Sequence, residues 1–187
     1  KRIFLDGVTN RQHSNIHEIL AFLREKYCGS LGYEYMHISN PTERKWFRDR
    51  VEKDENALQF TKKGKEAILN KIIQAEGFEK FLHTKYVGTK RFGLDGAESL
   101  IPALEQVIKI GSQNNVKEVK IGMSHRGRLN VLANVLQKSY KRIFNEFAGE
   151  IDSSSNDDSA GDVKYHLGAS SDRVFDNNSV HVSLTDN

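Results

Sequence analysis

The chain has 187 residues, 37% of them hydrophobic and 28% charged, which suits a globular chain with one sizeable domain or two small ones. Its 28 basic and 25 acidic residues leave a net charge of +3 and are mixed along the sequence, whereas nucleic-acid binding favours a clustered basic stripe. No apolar run approaches the roughly 18 residues of a membrane span, and no signal peptide is visible. Cys28, the single cysteine, cannot form an internal disulfide, so we expect a reducing compartment and a buried, inert thiol. The composition therefore favours neither a nucleic acid nor a membrane as a partner.

Helical patterns dominate the first half of the chain. Apolar residues recur at helical spacing over residues 12–26, and the pattern predicts an extended segment over 31–38. Asn40-Pro41 predicts the start of the next helix, because a capping side chain precedes a proline at the first helical position. We expect this helix to run to about Lys53.

The helical character continues towards residue 87. Thr61 is predicted to cap a third helix, and a short, separate fourth helix is predicted around Phe78, Phe81 and Leu82. No cluster of catalytic residue types occurs in this part of the sequence. Residues 1–87 are therefore predicted to form a helical N-terminal region whose apolar side chains serve packing.

The pattern changes near residue 88, where a glycine-rich, polar loop is predicted over 88–96. Beyond the loop the patterns predict, in chain order, a helix over 99–110, a strand over 118–124, a helix over 127–136, a helix from Ser139 to about Gly149, and short strands over 163–167 and 180–184. Helix, strand and helix in this order favour an α/β unit around a mainly parallel sheet. We therefore expect residues 88–187 to form a partial α/β domain beside the helical region.

The sequence Ser-His-Arg-Gly-Arg, residues 124–128, lies where a predicted strand passes into a helix. Ligands of open α/β sheets collect at the carboxyl ends of strands, and a helix start offers N–H groups to an anion. Arg126 and Arg128 add positive charge, and His125 adds a group that can donate or accept a proton near neutral pH. An anionic ligand is one interpretation. The other is that the arginines bind neighbouring protein groups and the histidine is a satisfied core residue.

Two other segments carry residue types that could serve chemistry. His166 ends a predicted strand within residues 161–168, where it could face a cleft or be structural. Lys90, Arg91 and Phe92 lie on the glycine-rich loop, where a cationic pair beside an aromatic ring could line an acid-binding pocket or simply lie on the surface. The sequence contains no zinc-like ligand spacing, no Walker-type loop and no Gly-x-Gly-x-x-Gly segment.

Taken together, these segments resemble a known enzyme family. The segments FLHTKYVGTKRF (81–92), SHRGRLNVL (124–132) and GDVKYHLG (161–168) are similar to the thiamine-diphosphate-dependent decarboxylating first component of 2-oxoglutarate dehydrogenase. The earlier segments YCGS (27–30) and EYMHI (34–38) resemble it as well. The similarity covers nearly the whole chain, and the order and spacing of the segments are more specific than any one of them.

The resemblance implies a fold, a reaction and partners. It implies an N-terminal part of that enzyme with a partial thiamine-diphosphate-binding-type α/β domain, using thiamine diphosphate and Mg²⁺. The implied reaction decarboxylates 2-oxoglutarate in the tricarboxylic acid cycle and passes the succinyl group to lipoamide on dihydrolipoyl succinyltransferase. The implied assembly is a homodimer, cytoplasmic in a bacterium and in the mitochondrial matrix of a eukaryote. The family's Gly-Asp-Gly segment, which holds the metal, does not occur in this sequence, so we expect the metal ligands outside it.

The resemblance also assigns roles to individual residues. His125 and His166 match histidines that line the family's active site, and we expect both to be catalytic and to contact the substrate. Phe92 matches a wall of the substrate pocket, and Ser170 matches a further substrate-binding position. Arg126 matches an arginine that contacts the cofactor. None of the residues in this sequence is predicted to bind the metal.

Other functions stay open from the sequence alone. The same residues would suit a dehydrogenase for a related 2-oxo acid such as 2-oxoadipate, or a 2-oxoglutarate decarboxylase with carboligating activity. A non-catalytic binding module that docks through its helical first half is an alternative of a different class, and a phosphate-binding or glycolytic enzyme is a third. We expect the isolated chain to be inactive under the leading interpretation.

Overall fold

A computed structural model of the chain describes residues 3–4, 13–52, 60–148 and 166–186. The chain forms two compact units, residues 1–59 and residues 60–187.

The first unit consists of a short ladder followed by two helices. Strand β1 (Ile3–Phe4) pairs antiparallel with β2 (His13–Ser14). Helix α1 spans Ile16–Tyr27 and helix α2 spans Pro41–Glu52. Both helices were predicted from apolar spacing and start signals, and both predictions are confirmed.

Local capping explains where these two helices begin. The side chain of Asn15 accepts a hydrogen bond from the Glu18 backbone N–H at 3.0 Å, and the Glu18 carboxylate accepts one from the Asn15 N–H. This reciprocal pair satisfies N–H groups that a helix start otherwise leaves without partners. At α2 the Asn40 side chain accepts from the Thr42 N–H at 2.9 Å, ahead of Pro41.

Three polar side chains join α1 to α2 within the first unit. The Tyr27 hydroxyl donates to Glu52 Oε1 at 2.7 Å and lies 2.9 Å from the hydroxyl of Tyr35. Burial, followed by these two hydrogen bonds, raises the pKa of Tyr27 far above its usual value. Tyr27 therefore stays a neutral donor, and the buried Glu52 carboxylate keeps a partner.

Two sequence-based predictions in the first unit are wrong. Residues 31–38 form no strand and contain a turn at 36–37, because no neighbouring strand pairs with this segment among the described residues. Cys28 is exposed rather than buried, since it follows the last residue of α1 at the helix cap.

The second unit contains four helices and three strands in its described residues. In chain order these are α3 (Lys62–Lys85), α4 (Leu100–Gln113), β3 (Glu118–Ile121), α5 (Arg128–Asn134), α6 (Tyr140–Ala148), β4 (Ala169–Phe175) and β5 (Asn178–Leu184). Thr61 caps α3 through a hydrogen bond from the Gly64 N–H at 3.1 Å, as predicted. The separate fourth helix predicted around Phe78 is wrong, because α3 runs on without a break to Lys85.

The three-stranded sheet has the order β3-β5-β4. Strand β3 runs parallel to β5, and β4 runs antiparallel to it. The chain is therefore of mixed α/β class, but the predicted mainly parallel sheet is wrong for the described strands. The reason is local: only Asp176 and Asn177 separate β4 from β5, and so short a connection makes a hairpin. Asp176 accordingly adopts the left-handed region, with φ of 53°.

The strand predicted at 163–167 falls largely on residues 163–165, which lie outside the described residues. His166 and Leu167 lie in a turn and an irregular segment, and the strand begins two residues later, at Ala169. The prediction for 180–184 is confirmed within β5.

The core of the second unit lies between the sheet and the helices. Helix α5 is buried on all sides, and its three polar side chains, Arg128, Asn130 and Asn134, form hydrogen bonds within the protein. The fully or nearly fully buried apolar side chains include Phe78, Leu82, Ile101, Ile108, Val131, Leu132, Ile143, Val180, Val182 and Leu184. Burial of each such aliphatic or aromatic side chain contributes about 1.5–3 kcal/mol. Helix α3 packs on α4 and α5 within this unit. The domain boundary predicted at 87–88 stays a prediction.

A buried ion pair ties three parts of the second unit together. Arg173 on β4 binds both carboxylate oxygens of Glu105 on α4, at 2.7 and 3.1 Å, and also donates to the carbonyl of Val135. Lys71 on α3 lies 3.5 Å from the same carboxylate. The Arg173 side chain is 6% exposed, so its charge depends on these partners for compensation.

Replacement of Glu105 by Ala should therefore destabilise the protein by about 3 kcal/mol, because a buried guanidinium loses its counter-charge. The measurement is the midpoint of thermal unfolding. Glu118→Ala is the matched control, since Glu118 pairs with Lys120 on the exposed surface and exposed pairs contribute little. Equal unfolding midpoints for the two variants would contradict the role assigned to the Glu105–Arg173 pair.

Candidate active site

Arg128 is the best-connected side chain at the junction between β3 and α5. It is fully buried, and its guanidinium donates to the carbonyls of Met123 at 2.9 Å, Leu167 at 3.1 Å and His166 at 3.3 Å. It also donates to the carbonyl of Thr185. One side chain thus joins the end of β3, the segment before β4 and the end of β5.

The charge of Arg128 is balanced from within the protein. Burial lowers the pKa of its guanidinium, and the nearby Asp186 opposes that shift, yet an arginine stays charged in proteins. The Asp186 carboxylate also accepts a hydrogen bond from the N–H of Gly168. A Cβ at Gly168 would overlap the backbone carbonyl oxygen of Leu184 and lie 2.9 Å from Asp186 Oδ1, which explains the glycine. For Arg128, the structure favours the interpretation in which the arginine binds protein groups.

The rings of Phe92 and His125 are in contact at this junction. Their centroids lie 4.0 Å apart with an interplanar angle of 41°. The carbonyl of Phe92 accepts a hydrogen bond from the Gly127 N–H at 2.8 Å. Gly127 has φ of 75°, and a Cβ there would lie 2.5 Å from Leu94 Cδ1. The glycine therefore permits the loop that carries Phe92 to approach the helix start.

Both candidate histidines are connected to Arg128 through their main chains. The Arg128 N–H donates to the carbonyl of His125 at 3.1 Å, and its guanidinium donates to the carbonyl of His166. The structure therefore brings Phe92, His125 and His166 to one junction by these bonds. Ser170 lies four positions beyond His166, exposed on β4. The catalytic and substrate-binding roles of the four residues stay predictions.

The arginines near the junction differ in what they contact. Arg126 is exposed, and one of its guanidinium nitrogens lies 3.4 Å from the carbonyl of Gly93. Arg91 instead turns back to α3, where it lies 3.0 Å from His83 Nδ1 and 4.0 Å from Glu79 Oε2. Arg126 is thus accessible to an anionic ligand, whereas Arg91 belongs to the packing of the loop on α3.

Sequence reasoning missed two buried polar residues behind the junction. Glu79 is 4% exposed, and its Oε1 accepts from the Leu94 N–H at 3.1 Å and from Asn130 Nδ2 at 3.0 Å. A signal was present: Glu79 lies beside Phe78 and three positions before Leu82, on the apolar face of α3. A carboxylate at a core-facing helical position requires a partner, and this requirement could have identified it.

The described residues provide only part of what a diphosphate cofactor and a metal ion require. Among them, no group of three or more His, Cys, Asp or Glu residues could hold a metal. At the start of α5, the N–H groups of Gly127 and Arg128 already bind protein carbonyls. Arg126 fits a phosphate by its charge and exposure. Over the described ranges, no helix has the length and apolar character to cross a membrane.

The fold places this chain in the mixed α/β class of proteins. Its junction is marked by a pair of an aromatic residue and a histidine where a strand passes into a buried helix. Curated relatives show more closely what the chain is similar to. The 2-oxoglutarate dehydrogenase E1 components of Brucella canis, Brucella suis and Brucella abortus are each 54% identical to the chain over all 187 residues. The chain spans 19% of the length of each. No protein-family model matches it.

The chain is thus homologous along its whole length to a segment of the 2-oxoglutarate dehydrogenase E1 component. The resemblance inferred from its motifs is confirmed. These relatives are named as a component of an enzyme.

Arg128→Met should destabilise the protein by at least about 3 kcal/mol, because four backbone carbonyls lose the charged donor that a fully buried side chain supplies. Arg126→Met is a matched control, since the same substitution two positions away removes an exposed side chain and should change stability by less than about 0.5 kcal/mol. Thermal unfolding of both variants measures the difference. Wild-type stability of the Arg128 variant would show that the carbonyls do not depend on it.

Proposed function

We propose that this chain forms part of the decarboxylating first component of a 2-oxoglutarate dehydrogenase. In this function the enzyme uses thiamine diphosphate and Mg²⁺, decarboxylates 2-oxoglutarate and delivers the succinyl group to lipoamide on dihydrolipoyl succinyltransferase. The observation that carries the proposal is the 54% identity to E1 components over the whole chain. The contact between Phe92 and His125 supports it, because the two residues belong to separate motifs that both resemble active-site segments of this enzyme family.

The chemistry of the substrate suits the residues at the junction. 2-Oxoglutarate carries two carboxylates, and its keto oxygen gains negative charge when the keto carbon is attacked. His125 and His166 would supply imidazole groups, which can donate hydrogen bonds and act as general acids or bases. The Phe92 ring, which contacts His125, would form one wall of the substrate pocket, and Ser170 would offer a hydroxyl to a carboxylate. Fixed donors of this kind stabilise developing charge because they need no reorganisation during the reaction.

The proposed function requires the chemistry of thiamine diphosphate, and Arg126 is the residue of this chain that would bind it. When bound, thiamine diphosphate supplies the electron sink that the decarboxylation requires. The exposed guanidinium of Arg126 would bind a phosphate oxygen. Ligands for Mg²⁺ would come from outside the described residues, which is consistent with the missing Gly-Asp-Gly segment.

The partial thiamine-diphosphate-binding-type domain and the assembly also belong to the proposal. The antiparallel β4 would be an addition to the sheet of such a domain, with β3 and β5 as its parallel pair. The full-length enzyme would be a homodimer that docks on dihydrolipoyl succinyltransferase. It would act in the cytoplasm of a bacterium or the mitochondrial matrix of a eukaryote, within the tricarboxylic acid cycle.

The isolated 187-residue chain should not turn over 2-oxoglutarate, because the Gly-Asp-Gly segment that would hold the metal does not occur in this sequence. Titration calorimetry with thiamine diphosphate and Mg²⁺ should show weak binding at most. Tight binding at a ratio of one cofactor to one chain would show that the cofactor site is misplaced in this proposal.

In the full-length enzyme, His125→Ala and His166→Ala should each reduce decarboxylation of 2-oxoglutarate roughly 100-fold or more, the usual scale for losing a positioned acid–base or oxyanion group. Folding should change little, because neither substitution removes a large apolar side chain. Steady-state kinetics and a thermal melt on each variant provide the measurement. His181→Ala is the control, because His181 is an exposed residue of β5 that pairs with Asp172.

The outcomes separate the proposal from its alternatives. A lower melting temperature with near-normal turnover would assign the histidines to structure. Turnover of 2-oxoadipate by the wild-type enzyme in preference to 2-oxoglutarate would change the substrate and keep the chemistry. Absence of decarboxylation with every 2-oxo acid would favour the binding module.

A further inference from the structure

Phe92 is held in an unusual backbone conformation between two fixed points. Its φ is 44°, in the left-handed region that a bulky aromatic residue seldom adopts and that persists only where surrounding contacts impose it. On one side, its own carbonyl binds the Gly127 N–H at 2.8 Å. On the other side, two residues along, the Leu94 N–H binds Glu79 Oε1 at 3.1 Å. These two bonds set the position from which the Phe92 ring reaches His125.

The Glu79 carboxylate is the part of this arrangement that comes from another element. It is 4% exposed and connects α3 to the loop by Oε1 and to α5 through Asn130. Its Oε2 also lies near the loop, because a Cβ at Gly93 would lie 2.8 Å from it, although closer still to Asp95 Oδ2. Arg91 donates to the backbone carbonyl of Glu79 at 3.5 Å. The loop therefore contacts Glu79 at the residue before Phe92 and at the two residues after it.

Asn130 fixes the carboxylate from behind. Its Nδ2 donates to Glu79 Oε1 and to the carbonyl of Ala75, both at 3.0 Å. Its Oδ1 accepts from Asn134 Nδ2 at 2.7 Å, and the Tyr140 hydroxyl donates to Asn134 Oδ1 at 3.3 Å. A buried chain of satisfied hydrogen bonds holds its members in one arrangement. The carboxylate thus has a defined position to which the loop is bound.

We propose that Glu79 is a positioning residue for the substrate pocket: its buried carboxylate, held by Asn130, binds the loop at Leu94 and thereby fixes the Phe92 ring against His125. This inference rests on the proposed function, because Phe92 is a pocket wall only if the substrate lies beside His125. Glu79 itself does not touch the substrate in this arrangement. Its effect passes through the loop, and a wall displaced by about 1 Å is enough to change catalysis substantially.

The test compares Glu79→Ala with Glu79→Gln in the full-length enzyme. The amide oxygen of glutamine can still accept from Leu94 and Asn130, so Glu79→Gln should keep wild-type kinetics. Glu79→Ala should raise the KM for 2-oxoglutarate roughly tenfold and change kcat less than about threefold, since removal of a pocket contact mainly weakens binding.

A double-mutant cycle with Phe92→Ala identifies the route of the effect. If Glu79 acts through the Phe92 ring, Glu79→Ala should have little further effect on the KM once the ring is gone. Glu105→Ala serves as the control for lost stability, because it removes a buried ion pair away from the loop and should leave the KM unchanged. A purely structural Glu79 would lower the melting temperature as Glu105→Ala does and leave the KM at its wild-type value, and this outcome would overturn the inference.

Hydrogen exchange measured by mass spectrometry separates this inference from the proposed function. The peptide that contains Leu94 should exchange faster in Glu79→Ala than in Glu79→Gln, whether or not 2-oxoglutarate is the substrate. Equal exchange in the two variants would overturn the role of the carboxylate even in a fully active enzyme. A wild-type enzyme that decarboxylates no 2-oxoglutarate would overturn the proposed function and, with it, the substrate role of the loop, while the exchange result would still report on the bond to Leu94.

Discussion

The second unit depends on a buried positive charge at the point where a strand passes into a helix. Arg128 has no access to solvent, and its guanidinium donates to backbone carbonyls just past the ends of β3 and β5 and in the segment before β4, with the Asp186 carboxylate nearby as a counter-charge. The positive charge of a buried guanidinium strengthens its hydrogen bonds to carbonyl groups. A guanidinium also stays protonated in a protein, so it cannot become neutral to reduce the cost of burial. The three chain segments must therefore converge on Arg128, and both candidate histidines lie on segments that converge in this way.

A second buried charge acts on the loop that faces this junction. Glu79 and Asn130 are buried polar residues at the contact between α3 and α5, and Glu79 binds the loop next to Phe92 through Leu94. The aromatic ring that meets His125 thus depends on helices that carry no candidate catalytic residue. Stability and site geometry share the same interactions here, because the groups that satisfy buried polar atoms also set where the loop lies.

Local sequence signals predict where helices begin, whereas tertiary contacts decide helix length and strand pairing. Asn40-Pro41 and Thr61 marked helix starts correctly, because capping involves residues within three or four positions of one another. The break predicted near Phe78 and the strand predicted at 31–38 were wrong, because tertiary packing continues α3 and no strand pairs with 31–38 among the described residues. The prediction of a mainly parallel sheet was wrong, because the hairpin turn at Asp176 and Asn177 makes β4 antiparallel to β5.

The sequence by itself determined the helix starts, the family resemblance and the segments that carry Phe92, His125 and His166, since each of these depends on local order and spacing. Only the tertiary structure decided that Arg128 binds the protein while Arg126 lies exposed, although the two arginines are two positions apart in one motif. It also decided that Glu79 lies behind the loop. The physical reason is that the burial of a charge depends on which distant carbonyls, amides and carboxylates surround it, and those neighbours are brought together only by folding.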